Sequence, residues 1–104
     1  MHLGSFQITR EDIFAFAKLW DAQPFHLSDE AAQNSPLKAL SASGWQTLSI
    51  MADFLEKNGH AFTGAKNVKW LKPLYPDVEM HIRLEGQIVR MLDPQDEIIC
   101  EVEL

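Results

Sequence analysis

The stretch SGWQTLSIMADFLEKNG, residues 43–59, constrains the chain more than any other. Ser43 suits a helix N-cap, Asn58-Gly59 suits a C-terminal stop, and the spacing between them predicts a helix over residues 45–57. Trp45, Leu48, Ile50, Met51, Ala52, Phe54 and Leu55 cover most of its circumference. A helix apolar nearly all round is one that other structure surrounds. After Gly64 the period changes to two. Val78, Met80, Ile82 and Leu84 alternate with Glu79, His81 and Arg83, which reads as a half-buried strand. Glu85-Gly86 predicts a tight turn into QIVRMLD. Pro94-Gln95-Asp96 predicts another into IICEVEL, where Ile98, Cys100, Val102 and Leu104 are expected on one face. NVKWLKPL is a further candidate strand, ended by Pro73 and Pro76.

The N-terminal part is helical after a short opening strand, residues 3–8. Thr9 reads as an N-cap with Asp12 three residues on, and Ile8 and Ile13 are placed as a hydrophobic staple. Ile13, Phe16, Ala17 and Trp20 follow at helical spacing, so a helix is expected over residues 10–19. Pro24 stops it, Ser28 or Asp29 caps a second short helix through about Gln33, and Pro36 closes that one. Strand, helices, then at least four strands make an α+β domain, 1–104, in which an antiparallel sheet covers one long helix at about 43–58.

Bulk properties narrow the function. With 104 residues the chain lies near the small end of what buries its own core, so a homodimer is a natural source of further burial. A net charge of −6 argues against nucleic acid as a partner. One cysteine, Cys100, forms no intrachain disulfide and points to a reducing compartment. MHLGSFQITRED lacks the basic and apolar regions of a signal peptide, and no apolar run approaches the ~18 residues of a membrane helix. A cytoplasmic domain with no membrane partner is the expectation. His2, His60, His81 and Cys100 do not fall at metal-ligand spacing, so no metal is expected.

The segment WDAQPFHLSDE, residues 20–30, is too polar for core and too specific for an ordinary turn. It reads either as a helix stop followed by a helix start, or as half of an active site with Asp21 and His26 aimed at one small molecule. Three motifs taken together favour the second. Asp21-Ala22-Gln23-Pro24-Phe25-His26 resembles the D-x-N-P-x-H motif of the MaoC-like dehydratases, the (R)-specific enoyl-CoA hydratase family. Ala42-Ser43-Gly44-Trp45 resembles the A-[HS]-G stretch that opens that family's central helix, and Leu71-Lys72-Pro73-Leu74-Tyr75-Pro76 its K-P-V-x-P-G-D strand end.

The resemblance spans residues 5 to 84 and implies a hotdog fold, a sheet wrapped around a central helix. It also implies hydration or dehydration of 2-enoyl and 3-hydroxyacyl thioesters by Asp21 and His26 as the acid–base pair. Gly44, at a helix start, takes the oxyanion role through its backbone N–H. Ser43 and Gln23 belong to the same motifs, Ser49 matches a polar position near the catalytic pair, and Trp45, Phe25 and Leu48 would line an acyl chain. No cofactor is implied; coenzyme A, or an acyl carrier, arrives on the substrate, with Lys66, Lys69 and Lys72 as candidate phosphate contacts or simply a solvated face. The implied partner protein is a second copy.

Gln23, Trp20, Gln46 and Pro76-Asp77-Val78 depart from the family pattern, the last by losing a turn glycine. The first strand reads as a remnant of the family's, and the stretch from Leu84 to Asp93 reads as about one hairpin short. A hotdog thioesterase, or a non-catalytic relative that binds an acyl thioester or a protein, are the alternatives.

Overall fold

A computed structural model describes residues 1–23, 26–34 and 39–104. Along the chain come β1 (His2–Phe6), α1 (Arg10–Trp20), α2 (Asp29–Gln33), α3 (Gly44–Lys57), β2 (Lys66–Trp70), β3 (Met80–Glu85), β4 (Ile88–Leu92) and β5 (Ile98–Glu103). The strands form one antiparallel sheet in the order β1-β3-β4-β5-β2. The long α3 packs its inner side on it.

The helix boundaries follow local chemistry. Thr9 Oγ1 accepts from the Asp12 amide and Asp12 Oδ2 accepts from the Thr9 amide, each at 3.0 Å, which satisfies two donors at the α1 start. Ile8 and Ile13 are both buried beside it. Ser28 caps α2, and Ser43 caps α3 by accepting from the Gln46 amide at 3.1 Å. Arg10 and Asp29 form an ion pair that ties α1 to α2. The breaks expected at Pro24 and Pro36 lie outside the described residues.

The β3 alternation is as expected, with Met80, Ile82 and Leu84 buried against Met51 and Leu55 of α3 in one core. The strand itself begins at Met80, after Val78. In β5 the pairing slips: Met91 faces Cys100 while Leu92 faces Ile98, so Ile99 is an extra residue at a bulge. Ile99 is therefore buried and Ile98 only half-buried, so of the expected face Ile98 departs while Cys100, Val102 and Leu104 pack on the core as expected.

Two features compensate for the irregularities of the sequence. The five-residue β1 pairs with β3 from His2 to Phe6, with a register shift between His2 and Gly4. It lies so close to α3 that a Cβ on Gly4, whose φ is +150°, would stand 2.6 Å from Phe54 Cε1. Where a turn glycine was expected, Asp77 itself adopts φ +62° and donates its amide to Ile8 O at 2.8 Å. Aspartate tolerates the left-handed region better than most side chains.

The central helix is covered on all but one narrow side, as its apolar circumference predicts. Gln46, Thr47, Met51 and Leu55 are buried, but Trp45 is 63% exposed and Ser49 is exposed as well. The exposed stripe of α3 consists of Trp45, Ser49, Asp53 and Glu56, whereas Leu48, Ile50 and Phe54 are half-buried and packed against the core.

Candidate active site

Asp21 caps the end of α1, its amide donating to Ala17 O at 3.0 Å. The chain then folds back on itself: the Gln23 amide donates to Asp21 O at 2.8 Å and the His26 amide to Gln23 O at 2.9 Å. This reversal turns both side chains toward one another, and His26 Nε2 stands 3.8 Å from Asp21 Oδ2. His26 is buried and Asp21 half-buried.

The other ring nitrogen decides the chemistry. His26 Nδ1 is 2.7 Å from the carbonyl oxygen of Ser41. A carbonyl only accepts, so Nδ1 carries the proton and, in the neutral ring, Nε2 presents a lone pair toward Asp21. A lone pair and a carboxylate oxygen do not hydrogen-bond each other. Each can accept from a molecule that enters with protons to give, and water is the smallest.

Both side chains open onto a cavity of about 500 Å³ that also touches Ser41, Gly44, Trp45, Thr47 and Trp70. The first turn of α3 forms part of its wall, where the leading helical amides have no intrahelical acceptor and the dipole is positive. Gly44 is in contact with Trp70: the indole Nε1 donates to Gly44 O at 3.2 Å, and a Cβ at position 44 would lie 2.8 Å from the ring. The missing side chain is thus filled by tryptophan on that side.

The other expected site residues divide. Trp45 borders the cavity. Ser43 is buried behind it, its hydroxyl accepting from the Gln46 amide and its carbonyl from the Thr47 amide and hydroxyl. Gln23 contributes backbone to the reversal, and its exposed side chain is not part of the wall. Ser49 is not brought to the pair; it lies in a neighbouring groove with Phe16, Trp20, Trp45, Leu48 and Ala52. Phe25 falls outside the described residues. Of the lysines, Lys72 reaches the cavity but is paired with Glu97, and Lys69 is 3.7 Å from Glu101.

Three cavity residues were not anticipated: Ser41, Thr47 and Trp70. Ser41 is the most informative, because its carbonyl orients His26 while its own buried Oγ has no hydrogen-bond partner among the described residues. Its position just before Ala42-Ser43-Gly44 was the available signal. Elsewhere, burial pushes the Cys100 thiol up to about 11. The Arg90 hydrogen bond holds Glu101 below the usual carboxylate range. Among the described residues no three His, Cys, Asp or Glu side chains are grouped to hold a metal, and no helix is long and apolar enough to cross a membrane.

Comparison with known proteins agrees with this architecture. Residues 3–102 match the family described as the MaoC like domain. The chain is 32% identical over 97 residues to the uncharacterized protein YdeM of Bacillus subtilis (strain 168), covering 88% of this chain and 65% of that protein. It thus spans just under two thirds of that relative's length. A MaoC-like dehydratase from Rhodospirillum rubrum superposes with a TM-score of 0.82 at 26% identity, over 96% of this chain and 83% of the other. An (R)-hydratase from A. caviae involved in PHA biosynthesis superposes at 0.74 and 18% identity, over 96% and 87%. The latter likeness is one of fold, the hotdog fold.

Proposed function

The chain belongs to the MaoC-like dehydratase family, and on that premise we propose that it interconverts 2-enoyl and 3-hydroxyacyl thioesters, with Asp21 and His26 as its acid–base pair. One observation carries the reading. His26 is locked by the Ser41 carbonyl with Nε2 directed at Asp21, across a 3.8 Å gap that opens on a cavity at a helix start.

In hydration, water held between Asp21 Oδ2 and His26 Nε2 gives up a proton as its oxygen bonds to the β-carbon. The electron pair of the double bond moves toward the thioester oxygen, which becomes enolate-like. The α-carbon then takes a proton from the pair, which returns to its starting state. One proton leaves and one arrives, so no electrons need a cofactor, and coenzyme A or an acyl carrier serves only as the handle. The Gly44 N–H, in the first turn of α3, is the donor we assign to the oxyanion. A homodimer is part of this reading, and the two outer strands of the sheet, β1 and β2, are where a second copy could extend it.

Trp70 against Gly44 favours a second reading, a protein that binds the thioester without turning it over, since the indole narrows the approach to the helix start. Absorbance of trans-2-butenoyl-CoA separates the two, with a thiol reagent in a parallel tube. Loss of the enoyl band without free thiol supports hydration. Thiol release would make the protein a thioesterase, and an unchanged spectrum with folded protein would leave only binding.

A further inference from the structure

Trp70 occupies space that a substrate at the helix start must share. Its backbone is fixed: the residue ends β2 opposite Cys100, and the next two amides, of Leu71 and Lys72, donate to Ile99 O at 2.8 and 3.2 Å. The sheet thus aims the indole, and it lands on the bare backbone of Gly44. A Cβ added there would meet Trp70 Cε2 at 2.8 Å and Nε1 at 2.9 Å. Nε1 donates to Gly44 O at 3.2 Å, and the same ring borders the cavity that holds Asp21 and His26. The residue is 51% exposed, so it is a wall with solvent behind it and not part of the core.

We propose that Trp70 is a specificity-determining residue that confines the site to acyl thioesters unbranched at the α-carbon. This rests on the thioester reading and deepens it by naming the substrate class. An oxyanion hydrogen-bonded to the Gly44 amide lies about 3 Å from that nitrogen. Its carbon carries two substituents, the sulfur and the α-carbon. Sulfur is common to every thioester and cannot branch, whereas the α-carbon can. A methyl added there competes with the indole for the space beside Gly44. That space already rejects one extra carbon, since a Cβ on the glycine itself would collide with the ring. Branching farther along the chain escapes the contact. One methyl too many at a fitted wall costs about tenfold or more in discrimination.

The test is calorimetric titration with butanoyl-CoA and isobutanoyl-CoA. These isomers have equal composition, differ in branching at the α-carbon, and are saturated and therefore inert to hydration. The wild type should prefer butanoyl-CoA by about tenfold or more. Trp70→Ala should bring the ratio toward one by tightening isobutanoyl-CoA, and Trp70→Phe, with its smaller ring, should fall between. A merely structural role would weaken both ligands together and leave the ratio unchanged. A wild-type ratio of one or below overturns the inference, and so does a ratio that both variants leave intact. Collapse through loss of butanoyl-CoA alone also overturns it, because the indole would then be a contact and not a barrier. Thermal unfolding checks each variant, and if Trp70→Ala does not fold, Trp70→Phe and Trp70→Leu carry the comparison.

Failure of the thioester reading looks different. If folded wild type binds neither isomer, that reading falls and takes the inference with it. Equal binding of both spares the reading and removes only the role of Trp70. Hydration of trans-2-butenoyl-CoA is followed separately. No turnover with the preference intact would remove the Asp21–His26 assignment and leave Trp70 as the selector of a binding protein.

Discussion

Two pairs of ionisable side chains in this molecule are built in opposite ways. Arg90 and Glu101 face each other across β4 and β5, with Nε only 2.6 Å from Oε1. Asp21 and His26 stand 3.8 Å apart at the edge of a cavity, and His26 spends its other nitrogen on a backbone carbonyl. The first contact is closed: each charge satisfies the other, the Glu101 carboxyl is held down, and the pair fastens two strands in register. The second is open. His26 commits Nδ1 to the Ser41 carbonyl and directs Nε2 toward Asp21 across a gap that borders a cavity of about 500 Å³. Closed pairs contribute to stability, and open ones are available for chemistry.

The contrast breaks most sharply under substitution at the open pair. Asp21→Asn and His26→Ala should each lower enoyl-CoA hydration by about 10²–10⁴, the usual worth of one positioned acid–base group. Urea denaturation should show little change for Asp21→Asn. A loss of stability as large as a core deletion, without a selective loss of turnover, would make the pair structural and erase its difference from Arg90–Glu101.

Gly44→Ala probes the wall between them. A methyl at that position would meet the Trp70 ring at 2.8 Å, so the indole must leave its place on the helix start. We expect a cost of about 1–3 kcal/mol, as for other overpacked sites, a change in tryptophan emission, and at least a tenfold fall in turnover. Adding Trp70→Phe should recover stability more fully than activity. Equal recovery of both would mean that Gly44 matters only for packing.

Much of the fold was legible because local chemistry and global structure agree. Thr9, Ser28 and Ser43 were readable as caps from their side chains, and the β3 alternation from its period of two. The bulge at Ile99 was not, since an extra residue changes the phase without changing composition. On α3 the exposure of Trp45 was not legible either, because hydropathy reports what a side chain avoids, not what covers it. At the site, Asp21, His26 and Gly44 were visible through motifs. Ser41 acts on His26 through a carbonyl that every residue possesses, and Trp70 reaches Gly44 from a strand 26 positions away, so neither contact had a local pattern to betray it.

A smaller effect is expected inside the closed region, where Cys100 lies buried next to Glu101. Its folded value of about 11 exceeds the ordinary 9.0, so the folded state keeps the proton longer than the unfolded chain. The contribution is therefore fully present below pH 9.0 and is lost as pH rises toward 11. Thermal unfolding between these limits should show a decline of at most about 2 kcal/mol that Cys100→Val abolishes. The native thiol should also react slowly with a disulfide reagent at pH 8, because little thiolate is present. Rapid labelling of folded protein would show that the β4–β5 region opens.

The smallest effect belongs to the closed pair itself. Glu101 has its carboxyl lowered from 4.5, first by the Arg90 hydrogen bond and then by charge attraction to Arg90 and Lys69. A lowered folded value means that the stabilisation is present above pH 4.5 and disappears as pH falls through the folded value. A half-buried pair of this kind on the face of a sheet is partly screened by salt. Glu101→Gln should therefore reduce the acid-dependent slope in the unfolding midpoint slightly and weaken, without abolishing, its dependence on salt. Turnover at neutral pH should stay within about twofold of wild type, because the pair has no part in the cavity. If Glu101→Gln instead cut turnover as deeply as Asp21→Asn, strand register at β4–β5 would be transmitted to the open pair, and the two regions could no longer be treated as independent.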